Sequence, residues 1–141
     1  MPRAFTSHLY EIHGNAFYMH CSDEDQDHST AFYRSPGLDE VIDRKNHVPR
    51  CEVCDAPMKP HSMFFDEAYS EHYYRQKTVD DFWFDADCLV VVGTALATSY
   101  AKQIVTRMLA REALVIEVNM ESSIPVGNCM QVLGRSEEVL P

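Results

Sequence analysis

Residues 88–119 read CLVVVGTALATSYAKQIVTRMLAREALVIEVN, and the pattern of this stretch decides the fold. From Cys88 the chain is continuously apolar until Gly93, the signature of a strand buried on both faces with Cys88 in the core. Ala101, Ile104, Val105, Met108 and Leu109 then recur at helical spacing and mark one face of an amphipathic helix over SYAKQIVTRMLAR. ALVIEVN is a second β-branched run. Strand, helix and strand predict a right-handed βαβ unit in a parallel sheet. CMQVLG predicts one further strand, and SEEVLP a short closing helix. Ligands of such sheets sit beyond the carboxyl ends of the strands, where Gly93-Thr94 and Asn119 fall. Spacing alone favours the plainer reading, a strand-to-helix turn using Gly93 and a loop asparagine.

Upstream the texture changes. NAFYMH, at the end of the first 20 residues, predicts a strand. Residues 22–49 are polar, acidic at the start and broken by Pro36-Gly37, and so predict a loop. HSMFFD at 61–66 predicts a short strand. A helix is expected to begin near Thr78, with Asp81 at the capping-box spacing, and to pack Phe82, Trp83 and Phe84 against the core.

The bulk numbers bound the function. A chain of 141 residues is one domain by size, and 45% hydrophobic with 24% charged residues is ordinary for a globular protein. The net charge of −10 argues against a nucleic-acid surface, which needs clustered Lys and Arg. No apolar run approaches the roughly 20 residues that span a bilayer, and MPRAFTSHLY carries no apolar signal core. No membrane association is therefore expected, and the expected compartment is cytoplasmic or nuclear.

Five cysteines, two of them spaced as Cys51-x-x-Cys54, suggest metal-binding thiolates in a reducing compartment rather than a disulfide framework. Pro57 and Pro60 follow closely and favour a turn, where two thiolates converge on zinc, over the helix start of a redox pair. Cys21 is the obvious third ligand. The position three after it is Glu24, which is taken as the fourth ligand; His20, Asp23 and His28 are the other donors nearby, and an open or lost site is the alternative. His13, in EIHGN, has three readings: a base, a metal ligand or a strand-end residue.

In order along the chain, EIHGN, Cys21, CEVC, MKPHSMFFDE, VVVGTAL, VIEVNME and VGNC resemble the sirtuins, the NAD-dependent protein deacylases. The resemblance runs from about residue 10 onward and implies NAD as cofactor, a structural Zn²⁺ and an acylated-lysine protein or peptide as substrate. It makes His13 the general base. In the family mechanism the acyl oxygen attacks C1′ of the nicotinamide ribose, nicotinamide leaves, and the base activates a ribose hydroxyl against the resulting imidate. Cys21, Cys51 and Cys54 match the zinc ribbon, with Glu24 where the family has a cysteine. Phe64, Phe65, Asp66 and Glu67 match the segment that pairs with the substrate peptide, Asp66 replacing a glycine. Gly93, Thr94 and Ala95 match the turn beside the adenosine end of NAD, Ala95 replacing a serine. Asn119 and Glu121 match the ribose motif, and Cys129, after Gly127-Asn128, the residue lining the adenine.

Other family motifs are not among these residues. The glycines at 14, 37, 93, 127 and 134 never form Gly-x-Gly, and neither the Gly-Ile-Pro-Asp-Phe-Arg stretch nor the Gln-Asn-x-Asp motif occurs. The expected fold is α/β: a partial, Rossmann-like parallel sheet corresponding to the C-terminal half, with a small zinc-ribbon module. Residues 1–14 would lead to the His-Gly motif, 15–66 form the zinc module, and 67–141 the half sheet. The implied function is an NAD-dependent protein-lysine deacylase, incomplete as this chain. The alternative is a non-catalytic, zinc-dependent peptide-binding module. Open sheet surface would favour docking of a separately encoded N-terminal half or self-association.

Overall fold

The computed structural model describes residues 9–24, 28, 33–35, 48–125 and 129–140. The chain divides into two compact units, Met1–Val79 and Asp80–Pro141.

The first unit is built on an antiparallel sheet in the order β2-β1-β3, with β1 at Gly14–Cys21, β2 at Tyr33–Arg34 and β3 at Met58–Ser62. Cys21 faces Met58 and Met19 faces Pro60, but the register shifts before Gly14 meets Ser62. Pro60 has no N–H to offer the ladder, which fits its place on an edge strand beside a bulge. Gly14 has φ +79°, and a Cβ there would lie 2.2 Å from the His61 carbonyl oxygen, so only glycine makes this approach. The strand expected over 61–66 is displaced: β3 ends at Ser62. Beyond it the chain turns, because Glu67 N–H donates to the Phe64 carbonyl and the Phe64 N–H to the Glu67 carboxylate. Of the loop predicted over 22–49, most lies outside the described residues, and Tyr33–Arg34 is strand.

Helix α1, Glu71–Tyr74, is capped by Ser70, whose hydroxyl accepts the Tyr73 N–H. Helix α2 spans Gln76–Phe84, so the expected start at Thr78 is late. Thr78 bonds back to Glu71 through both N–H and Oγ1 rather than forward to Asp81. Of the three aromatics assigned to the core, Trp83 is buried while Phe82 and Phe84 are exposed. Successive helical residues point about 100° apart, so three neighbours cannot share one face.

The second unit carries the parallel sheet β4-β5-β6: β4 at Cys88–Val92, β5 at Leu114–Asn119 and β6 at Met130–Leu133. Helix α3, Ser99–Ala110, connects the first pair, and α4, Ser136–Val139, closes the chain. Met108, Val105 and Tyr100 of α3 are buried, as are Val91, Val115 and Val118 of the sheet. The expectation of burial on both faces of β4 fails. Val91 is 7% exposed but Val90 is 52% and Val92 41%, and Cys88 is exposed rather than core. Side chains alternate along a strand, and within this unit only one face of β4 is covered. Strand β4 also pairs, among the described residues, on one side only, with β5. Among the described residues, no helix is long and apolar enough to cross a membrane.

Candidate functional site

Three arrangements stand out, two in the first unit and one in the second.

The first is a cysteine-histidine centre. Cys21 ends β1, while Cys51 and Cys54 sit on a tight turn. That turn is closed by the Asp55 N–H donating to the Cys51 carbonyl at 2.9 Å and the Cys51 N–H to the Ala56 carbonyl at 2.8 Å. Asp55 takes a left-handed φ of 61° to complete it. The donor atoms of Cys21, His28, Cys51 and Cys54 all lie within 4.8 Å of one another, with Cys21 Sγ 3.5 Å and His28 Nε2 3.2 Å from Cys54 Sγ. Burial pushes the Cys21 thiol up to about 11, against the Asp23 N–H that favours its thiolate. The N–H groups of Cys54 and Val53 pull the Cys51 thiol down. A crowded set of thiols, two of them buried, with N–H donors aimed at sulfur suits thiolates neutralised by a cation, and three sulfurs with one imidazole match the donor set of a structural zinc site.

Glu24, chosen from its spacing as fourth ligand, is not brought to this set. Its carboxylate takes the Lys59 ammonium at 2.8 Å and lies 3.5 Å from His20 Nε2. An ammonium partner is more favourable for a carboxylate than a cluster of sulfurs, and His28 occupies the fourth position. His20 turns the other way, its Nδ1 3.3 Å from His61 Nδ1, and burial lowers the pKa of both rings. Asp23 contributes its N–H, not its carboxylate, to Cys21 at 3.4 Å.

The second arrangement is the His13 turn. Gly14 N–H closes it onto the Glu11 carbonyl at 2.7 Å, and Asn15 Nδ2 holds the Glu11 carboxylate at 2.8 Å. The His13 carbonyl accepts the Met63 N–H at 3.0 Å, and Nε2 lies 2.8 Å from Tyr69 Oη. His13 is exposed and not among the donors of the cysteine centre. The candidate peptide segment follows β3: Phe64, Phe65 and Asp66 are exposed, and Glu67 is paired with Lys59. Desolvation would raise the Glu67 pKa, but the Lys59 ammonium and the Phe64 N–H outweigh it and hold the carboxyl low.

The third arrangement lies at the carboxyl ends of the parallel strands. Gly93, at φ +59°, donates its N–H to the Val118 carbonyl at 3.0 Å. Asn119 Nδ2 donates to the Thr94 carbonyl at 2.7 Å and to Ser123 Oγ at 3.2 Å, while the Ser123 hydroxyl donates to the same Thr94 carbonyl at 2.8 Å. Gly93, Asn119, Gly134 and Arg135 are among the residues lining an open cavity of about 330 Å³. Ala95 and Glu121 are exposed and do not line it, and Cys129 is half-buried, its thiol pushed up by burial.

Glu117 supports this end of the sheet, and the sequence reading missed it. It is fully buried on β5 and accepts the Ser123 N–H at 2.6 Å and the Ser122 hydroxyl at 3.0 Å. Burial raises its pKa, but these donors and the Ile124 N–H outweigh it and leave the carboxylate below its ordinary range. A charged residue inside the β-branched run VIEVN was the available signal. Nothing comparable announced Ser123 or Tyr69.

The model of the Sir2 family matches residues 2–99, and the chain belongs to that family. An NAD-dependent protein deacylase of Pyrococcus abyssi is 31% identical over 141 residues, covering 98% of this chain and 53% of the relative. The NAD-dependent deacetylase sir2E of Dictyostelium discoideum is 26% identical over 94 residues, 66% of this chain and 27% of that protein. A solved structure described as "Sir2-p53 peptide-NAD+" superposes with a TM-score of 0.75 at 16% identity, over 95% of this chain and 53% of the other. The chain thus spans about half of the Pyrococcus relative.

Proposed function

We propose that this chain supplies the general base, the zinc module and the adenosine side of an NAD-dependent protein-lysine deacylase. Residues 1–14 lead to the His-Gly turn, 15–66 form the zinc module, and 67–141 form the C-terminal half of the nucleotide-binding sheet. The observation that carries the reading is the clamp on the Thr94 carbonyl. Asn119 and Ser123 hold it jointly, and so fix the Gly93-Thr94 turn beside the strand-end cavity. Nucleotides bind where such turns meet the carboxyl ends of parallel strands.

NAD, when bound, supplies an electrophilic ribose carbon with nicotinamide as leaving group. Gly93, Thr94 and Ala95 border its adenosine, Asn119 and Glu121 serve its ribose, and Cys129 serves the adenine. His13 accepts a hydroxyl proton at its neutral imidazole. The turn from Phe64 to Glu67 takes the acylated peptide, its exposed Phe64 and Phe65 offering apolar contact. The thiolates and His28 hold zinc in a structural role. The side of β4 that has no partner among the described residues takes a strand of an N-terminal half, or a second copy.

The test joins this chain to the N-terminal portion of the Pyrococcus abyssi relative and incubates it with NAD and an acetyl-lysine peptide. Mass spectrometry should find nicotinamide and deacetylated peptide, and His13→Asn should slow both by about 10²–10⁴-fold. Absence of product from the joined protein rejects the activity. The exposure of Phe64 and Phe65 in the same unit as the metal centre favours one second reading, a zinc-dependent peptide binder without turnover. Calorimetric peptide binding without NAD that survives His13→Ala, from a joined protein that forms no product, would select it.

A further inference from the structure

One loop grips His13 at two points. At its start the Met63 N–H donates to the His13 carbonyl at 3.0 Å, and near its end Tyr69 Oη meets His13 Nε2 at 2.8 Å. The two rings are 5.8 Å apart and tilted by 45°, so they are hydrogen-bonded rather than stacked. The chain is held on either side of the phenol. Glu67 accepts the Phe64 N–H at 2.9 Å and is paired with Lys59, while Ser70 caps α1. On the other side, the glycine-only approach of Gly14 to His61 fixes the turn that carries the imidazole.

We propose that Tyr69 is a positioning residue for His13: its phenol donates to Nε2, so that the imidazole keeps its proton on Nδ1 and carries its lone pair at Nε2. The inference rests on the reading of His13 as the general base. The direction of the bond follows from the partners, since a phenol is a far better proton donor than acceptor and a neutral imidazole nitrogen accepts strongly. Burial raises the pKa of Tyr69 above its ordinary range, so the phenol retains its proton where the imidazole is neutral. An exposed histidine would otherwise sample both tautomers and several rotamers. Setting them beforehand removes that disorder from the reacting geometry. Tyr69 lies two residues beyond the candidate peptide segment, so peptide engagement and base orientation share a single loop.

The experiment uses the zinc-loaded 141-residue chain labelled with ¹⁵N-histidine, at a pH well above the ordinary histidine value of about 6.5. Two-bond ¹H–¹⁵N correlations identify the tautomer, and the His13 signals are assigned by their loss in His13→Asn. The wild type should show the Nδ1–H pattern. Tyr69→Phe, which keeps the ring, should move His13 toward the Nε2–H form that an unconstrained histidine side chain favours while the other histidine signals stay in place. A wild-type His13 already in the Nε2–H form overturns the proposal whether or not the variant folds, and so does a variant pattern identical to the wild type. The readout needs no turnover, so a failed deacylation assay leaves this result standing, and a wrong tautomer leaves that assay untouched.

Discussion

In Met1–Val79 the deepest side chains are Cys21, His20 and Tyr74; in Asp80–Pro141 they are Met108, Val115, Val118, Ile124 and one carboxylate, Glu117. The first unit clusters Cys21, Cys51 and Met58, with thiols where an aliphatic core would be. The second is a conventional half-sheet with a helix on it. The difference teaches where the folding free energy resides. With so few buried aliphatic groups among its described residues, the first unit relies on a coordinated ion, whereas the parallel sheet relies on the hydrophobic effect.

Removing the metal should break this comparison most visibly. Structural zinc contributes on the order of 10–16 kcal/mol in small sites. Hydrogen exchange after chelation is therefore expected to collapse protection over Gly14–Ser62 and to preserve it over Cys88–Asn119. Equal loss in both would mean that the second unit has no stability of its own. The reciprocal test is Met108→Ala, a side chain with no exposure. Deleting it should cost the second unit about 2–5 kcal/mol in denaturant unfolding and leave zinc affinity unchanged.

A smaller effect is expected at Glu117. Its folded pKa is depressed, so the stability it contributes is complete above the unfolded value of about 4.3 and is lost as pH falls through the folded value. Glu117→Gln should cost about 1–3 kcal/mol near neutral pH by leaving the Ser122 and Ser123 donors poorly matched, and should flatten the acid limb of the unfolding curve. The smallest effect belongs to Val90. As an exposed side chain, its replacement by Thr should change the melting of this chain by within about 0.5 kcal/mol. A clear loss would show that something covers that face.

What the sequence disclosed follows from which forces are local. Periodicity named α3, β5 and β6 because helical spacing and β-branched runs report directly on backbone form. The same periodicity misjudged β4, since an apolar run reports what a strand could bury, not what this chain lays over it. Phe82, Trp83 and Phe84 were grouped by composition, and helical rotation separated them. Spacing located three sulfurs and offered His28 among several fourth donors, but could not choose it over Glu24, which tertiary folding draws off to Lys59. Tyr69 stayed invisible for the same reason: 56 positions separate it from His13.

The irregular register of β1 has a mechanical consequence. Cys21 is pinned to Met58 at one end and Gly14 to Ser62 at the other, with a register shift between. Changes of chain length within that slack can be absorbed locally, so the sulfur end of the strand and the imidazole end are free to vary independently of each other.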